Sequence, residues 1–189
     1  MARLFPVGWH EDLRTMVFID GENLAMRFAA LRAAQGDLPL LEHVGFRKDV
    51  YVWTRKAMNP MVRRNVLRKY YFTSVSADTN RIEEVQGELK ELGIEAPMVF
   101  KKHRTKGSKM VDISIATEML VQVIRKNIDA VALVAGDEDY VPLIEAVKRE
   151  GCRVLLWFLE NGLSPHLKAA SDYFAPLEDL FFTSKPDLE

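Results

Sequence analysis

Apolar positions fall into short runs along the chain, and glycine, proline or an acidic residue stands at nearly every junction between them. Residues 15–19 are bulky or β-branched and stop at Asp20-Gly21, as a buried strand does. Leu24, Phe28 and Leu31 then recur at spacings of four and three, which predicts a helix over 23–34, ended by Gly36 and Pro39. Residues 36–46 read as a loop. Residues 48–54 alternate, with Val50 and Val52 on one side and Tyr51 and Trp53 on the other, so a strand is expected. Residues 66–75 are rich in strand formers around Tyr70, Tyr71 and Phe72. Ser76 or Asp78 can cap a following helix through residue 91, whose stripe is Ile82, Val85, Leu89 and Leu92; Gly93 closes it. Residues 94–100 make a short strand, and Pro97 puts it near a sheet edge.

The second half keeps this rhythm. Residues 101–109 are basic and aperiodic, and a helix is expected over 112–125. Ile113, Ala116, Leu120 and Ile124 form its stripe, and Ile115, Met119 and Val123 widen it. Residues 130–135 are the most continuously apolar run and predict the most buried strand. A helix over 140–150 tolerates Pro142 in its first turn. A strand over 152–158 follows. Ser164-Pro165 suits the start of a short helix within 162–170, and 173–177 reads as a last strand. Strand and helix alternate throughout. The expected class is α/β: a three-layer α/β/α sandwich with a mostly parallel central sheet, built as one domain over 1–189 with its core at about 14–180.

Composition narrows the classes. The chain has 189 residues, 48% hydrophobic and 28% charged, which is ordinary globular material. One cysteine, Cys152, excludes an intrachain disulfide framework and fits a cytoplasmic setting. No apolar run approaches the roughly 18 residues of a membrane span, and the N-terminal segment is a poor signal peptide. No membrane partner and no export are expected. Leu4, Phe5, Val7 and Trp9 form an apolar stretch ahead of the first strand, suited to packing on the core or reaching a partner. The net charge of −1 hides an imbalance: residues 47–109 carry 15 basic and 7 acidic side chains, and residues 110–189 carry 7 basic and 14 acidic. A basic surface beside an acidic pocket would suit a polyanion processed at a metal; two ordinary solvated faces would give the same count.

Candidate chemistry lies where apolar runs end in acid. Asp20-Gly21-Glu22-Asn23 follows the first strand, and Gly136-Asp137-Glu138-Asp139 follows the most buried one. Carboxylates are poorly placed next to a buried run unless paired or bound to a cation. If the two runs are neighbouring parallel strands, their acidic ends meet at one sheet edge, where open α/β sheets build their sites. Gly21 permits a tight turn there. In the second motif Asp137 and Asp139 can point one way and Glu138 another. Each motif also has a plain alternative: Asp20 or Asn23 as a helix cap, and Asp139 capping the helix that begins at Tyr140. Asp112 opens a long helix, where the dipole favours its charge and capping alone would satisfy it. Lys109 precedes it, and Thr117 lies one to two turns on. Lys101, Lys102, His103, Arg104 and Lys106 form a basic loop just upstream, fit for a nucleic-acid backbone. Arg63, Arg64, Arg68 and Lys69 form a second cluster beside Tyr70, Tyr71 and Phe72. Those rings read first as strand core and second as surfaces for unpaired bases. Nucleotide-binding glycine loops, nucleophile elbows and zinc patterns are absent from the sequence.

Phe18 to Asn23, Lys109 to Asp112, and Ala135 to Tyr140 with Pro142-Leu143 together resemble the NYN domain of the PIN-like nuclease superfamily. Tyr70-Tyr71, Gly151, Leu163-Ser164-Pro165 and Ala170-Ser171-Asp172 extend the likeness across about residues 14–180. The bacterial, stand-alone LabA-like proteins are the most similar subgroup. The resemblance implies a PIN-like fold and a Mg²⁺- or Mn²⁺-dependent ribonuclease. By motif, Asp20, Asp112, Asp137 and Asp139 are the expected catalytic and metal-binding carboxylates, with Asn23 catalytic beside them. Lys101, Lys102, Arg104, Lys106 and Lys109 are the expected RNA-binding residues. Single-stranded or unpaired RNA is the expected substrate, cut by endonucleolytic hydrolysis that leaves a 5′-phosphate, and a homodimer would lengthen the site into a groove. Two other readings stand beside this one: an RNA- or protein-binding module of the same fold, and a small-molecule phosphatase. Against the phosphatase, Asp20-Gly21-Glu22 lacks the second aspartate of the aspartyl-phosphate motif.

Overall fold

The structure is a computed structural model that describes residues 13–56, 65–76, 79–102 and 109–182. Among these, six parallel strands form one sheet in the order β5-β4-β1-β6-β7-β8. They are β1 (Thr15–Asp20), β4 (Val66–Val75), β5 (Ala96–Lys101), β6 (Ala130–Val134), β7 (Arg153–Phe158) and β8 (Tyr173–Pro176). A two-stranded antiparallel ribbon, β2 (Val44–Arg47) with β3 (Tyr51–Thr54), lies outside it. The helices are α1 (Gly21–Ala34), α2 (Thr79–Glu91), α3 (Lys109–Ile124), α4 (Val141–Arg149), α5 (Pro165–Ala170) and α6 (Glu178–Phe181).

The strands read as continuous apolar runs because both sheet faces are covered. On one face Val17 and Ile19 of β1, Ala132 and Val134 of β6, and Leu155 and Trp157 of β7 pack with α1, α2 and the ribbon. On the other, Phe18, Leu133 and Leu156 pack with α3, α4 and α5. The expected three-layer sandwich is therefore present. β1 and β6 are parallel neighbours, with Ile19 opposite Val134. The helix leaving β1 covers one face and the helix leaving β6 covers the other. Chain direction diverges between these two strands, which opens a crevice at their carboxyl ends. Pro97 sits on an edge strand, as its missing N–H requires.

Four elements differ from the expectation. The 36–46 loop ends in β2, whose short half-exposed strand carries no alternation. α3 buries Val111, Ile115, Met119 and Val123, whereas Ile113 and Ile124 are 64% and 61% exposed. The helix carries two adjacent apolar stripes, and the widening residues proved to be the inward face. A 3-10 turn (Glu138–Tyr140) precedes α4, and Asp137, not Asp139, caps it by accepting the Asp139 N–H at 3.2 Å. A short helix, α6, follows the last strand. Tyr70, Tyr71 and Phe72 are buried, which removes them as base-stacking surfaces. The apolar N-terminal stretch, Arg63, Arg64 and Asp78 lie outside the described residues.

Tyr71 ties the ribbon to the sheet. Its hydroxyl accepts the Val52 N–H at 3.1 Å and donates to the Val52 carbonyl at 3.2 Å. Thr73 donates to the Val50 carbonyl at 2.5 Å, which seats the ribbon's turn above the crevice. Gly21 is required by the same packing, and not by turn geometry: a Cβ there would run into the Tyr71 ring and stand 2.8 Å from the Phe72 carbonyl oxygen. Gly21→Ala should therefore force β4 and α1 apart and cost about 1–3 kcal/mol. Urea unfolding of the variant beside the parent checks this; an unchanged midpoint would show that the contact relaxes freely.

Candidate active site

Asp20 is the last residue of β1 and the N-cap of α1, and it is only 3% exposed. Its Oδ1 accepts the Asn23 N–H at 3.0 Å, so the capping reading holds. Capping occupies one oxygen. The other, Oδ2, accepts from the Tyr140 hydroxyl at 2.9 Å, and that same hydroxyl lies 3.2 Å from Asp112 Oδ1. Three elements distant in sequence thus converge on one phenol. A phenol carries a single proton. It can satisfy one carboxylate at a time, and the second needs either a proton of its own or a cation.

Burial dominates the electrostatics of these groups. Burial pushes the Asp20 carboxyl up to about 7, opposed by the hydrogen bonds from Asn23 and Tyr140 and reinforced by Asp112 and Glu22. Asp112 is also raised, by burial first and then by the charges of Asp137, Glu22 and Asp139. The Tyr140 hydroxyl is driven upward by burial and by the two carboxylates it faces. The acidic side chains are therefore close enough to feel one another.

Asn23 does more than follow a cap. Its side-chain oxygen accepts the Gly136 N–H at 3.0 Å, fastening the start of α1 to the loop leaving β6. Asp137 and Asp139 are exposed on that loop. Glu138 turns away toward α5, where its carboxylate meets His166 Nδ1 at 3.2 Å.

Asp20, Asn23, Asp112 and Asp137 line a cleft of about 600 Å³. From the β4–β5 side the cleft receives Ser74, Ser76, Arg81 and Lys102. Glu22, which the sequence reading passed over, stands between the two groups: it accepts from the Ser74 hydroxyl, and the Lys102 ammonium is 3.7 Å away. Asp139 lies outside this cleft and lines a second recess of about 210 Å³, which shares Asp112 and Asp137 with it. Of the expected RNA-binding residues, Lys102 reaches the cleft and Lys101 is exposed at the end of β5. Arg104, Lys106 and His103 lie outside the described residues, as does the side chain of Lys109, the first residue of α3. Thr117 is exposed along α3.

Among the described residues, no three histidine, cysteine or acidic side chains close around one point as a ready-made metal cage. The donors nevertheless suit a hard divalent ion. They are carboxylate oxygens short of one proton, and magnesium usually keeps several waters and takes one or two carboxylates plus substrate phosphate.

The model of the NYN domain matches residues 14–178. The chain belongs to the NYN domain family. That family lies within the PIN-like superfamily, and its members are generally nucleases. The chain is 32% identical over 79 residues to an uncharacterized protein of Methanocaldococcus jannaschii, a stretch covering 42% of this chain and 33% of that protein. The matched stretch is thus about a third of the length of that curated relative. A crystal structure of a protein of unknown function from Vibrio parahaemolyticus RIMD 2210633 shares the fold. Its TM-score is 0.62 at 16% identity, over 92% of this chain and 98% of the other. Among the described residues no helix is long and apolar enough to cross a membrane.

The raised Asp20 carboxyl has a consequence for the NYN domain's stability. Between its ordinary value near 3.8 and about 7, the folded protein holds a proton that the unfolded chain releases. Stability from this group is therefore lost as pH rises through that window, by an amount on the order of a few kcal/mol. Asp20→Asn, which keeps the cap, should gain on the parent progressively from pH 4 to pH 8 when the two are compared by denaturant unfolding. A pH-independent difference would contradict the buried, protonated Asp20.

Proposed function

We propose that this NYN domain is a metal-dependent endoribonuclease that hydrolyses phosphodiester bonds in single-stranded or unpaired RNA. The observation that carries the reading is the single phenol of Tyr140 shared by Asp20 and Asp112, two carboxylates that line a cleft also reached by Lys102 and Arg81. Asp20 and Asp112 would hold a Mg²⁺ or Mn²⁺ ion, with Asp137 beside them. Bound there, such an ion would polarise the scissile phosphate and lower the pKa of the attacking water.

The chain's own groups do the rest. Tyr140 fixes the separation and facing of the two carboxylates by donating to either. Asn23 holds the Asp137 loop against α1 through Gly136, so the carboxylates from β1 and β6 keep their register. Lys102 and Arg81 attract the RNA backbone into the cleft and balance its charge next to Glu22. An exposed strand can enter this cleft more easily than a duplex. Asp139, at the rim of the smaller recess, adds to the negative potential that keeps the Asp112 carboxyl raised.

A second reading has one observation in its favour. Without three ligands around one point among the described residues, the same cleft could serve an RNA- or protein-binding module in which Tyr140 and a proton on Asp20 already satisfy the acids.

Cleavage of an end-labelled single-stranded RNA separates the two. With Mg²⁺ or Mn²⁺ the parent should cut, EDTA should stop it, and Asp112→Asn should lose about 10²-fold or more with its circular dichroism unchanged. Full activity in Asp112→Asn would remove that carboxylate from the reaction. The absence of cleavage, with salt-sensitive RNA binding retained, would favour the binding module.

Metal binding has its own readout. At a concentration about 100 times its Kd, a ligand of the folded state adds about 2.7 kcal/mol. For a chain of this length that raises the melting temperature by roughly 5–10 °C. Mn²⁺ should produce this shift at pH 7.5 in the parent and not in Asp20→Asn or Asp112→Asn. An equal shift in all three would place the ion elsewhere.

A further inference from the structure

The 600 Å³ cleft and the smaller 210 Å³ recess meet at Asp112 and Asp137, and the smaller one has a different chemistry. Ile113 and Ala116 of α3 and Leu143 of α4 make its apolar floor, with Asp112, Asp137 and Asp139 among the residues that line it. Ile113 is 64% exposed, which is an unusual place for a large aliphatic residue beside a cluster of acids. Among the described residues the charged side chains that line this recess are all acidic. A nucleobase meets what it prefers: aliphatic surface for its faces, and carboxylate oxygens that accept from its amino edge. A volume of about 210 Å³ lies below the usual range for a drug-sized ligand and suits a single ring system.

We infer that the recess floored by Ile113, Ala116 and Leu143 receives the nucleobase adjoining the phosphate that a metal ion at Asp20 and Asp112 would hold. The inference rests on the RNA-cleaving reading of the main cleft and adds a subsite to it. The RNA strand then runs from the cationic β4–β5 side of the cleft, across the ridge of shared carboxylates, and turns one base down against α3. This gives the exposed apolar face at the start of α3 a use that packing does not, since the helix already buries Val111, Ile115, Met119 and Val123.

The test is equilibrium binding of fluorescein-labelled decamers of single-stranded adenosine RNA, one intact and others with a single abasic nucleotide placed at successive positions. Anisotropy is read in Ca²⁺, and cleavage is assayed separately in Mn²⁺. One abasic position should weaken binding about tenfold, and Ile113→Ser should weaken the intact decamer by about the same factor and abolish that positional penalty. Ile113 is exposed, so the variant should fold; its melting curve verifies this, and Ala116→Leu, which narrows the recess, should act in the same direction. A penalty equal at every position, or one that persists in Ile113→Ser, overturns the inference even if the protein cuts RNA. The expected positional penalty without cleavage in Mn²⁺ upholds the subsite and sinks the nuclease reading. Absence of RNA binding overturns the subsite. A change of oligomeric state in Ile113→Ser by analytical ultracentrifugation, with decamer binding intact, also overturns it and assigns the α3 face to a second copy.

Discussion

One proton between two carboxylates is the constraint on which this site is built. Tyr140 can donate to Asp20 or to Asp112, and both oxygens stand within reach of it. An isolated pair of buried acids would repel and spread, or stay protonated and inert. The phenol holds them together while leaving one of them unsatisfied, which creates a demand for positive charge at a fixed point. Below about pH 7 a proton on Asp20 meets that demand, and a divalent ion would meet it at higher pH. Burial and chemistry are thus opposed at this point: the arrangement that stabilises the fold least at neutral pH is the one that attracts a cation.

The surrounding architecture keeps that opposition from relaxing. β1 and β6 deliver their carboxyl ends side by side because the chain diverges between them, one helix to each face. Asn23 then bolts the two exits together through the Gly136 N–H. Gly21 lets α1 begin directly against the Tyr71 ring, and Tyr71 in turn carries the β2–β3 ribbon that overhangs the cleft. A side chain at Gly136 would strike Phe158 and come within 2.9 Å of the Gly162 carbonyl oxygen, so the second acidic loop is also pressed on the sheet. Each tether is modest alone. Their joint effect is to deny the acids any route apart.

The basic middle of the chain and its acidic second half acquire a spatial meaning from the sheet order. β4 and β5 lie to one side of β1 and bring Lys102, with Arg81 from α2, to the cleft; β6 lies to the other and brings Asp137. Glu22 and Lys102 mark the seam, 3.7 Å apart. A polyanion approaching this edge meets attraction on one side and a cation-seeking centre on the other, which is the polarity that the proposed RNA cleavage would use.

Much of this was legible in residue order. Apolar runs of strand length that end in Asp20 and in Asp137 told of a parallel sheet with acids at one edge, because a buried strand cannot hold a carboxylate anywhere but its end. Pro97 told of an edge strand for the same kind of reason. Other features were invisible, since they arise only where distant segments meet. The inward face of α3 could not be chosen between two apolar stripes until packing took Val111, Ile115, Met119 and Val123 and left Ile113 outside. The half-exposed strand β2 has no pattern of its own and exists by pairing with β3. Tyr140 looked like the first residue of a helix; its hydroxyl reaches Asp20 and Asp112, 120 and 28 residues away along the chain, and no local periodicity records such a contact. Local sequence determined which acids stand at the ends of elements, because burial penalises them elsewhere. Tertiary structure decided which of those acids share a proton, because that depends on distances the chain acquires only when folded.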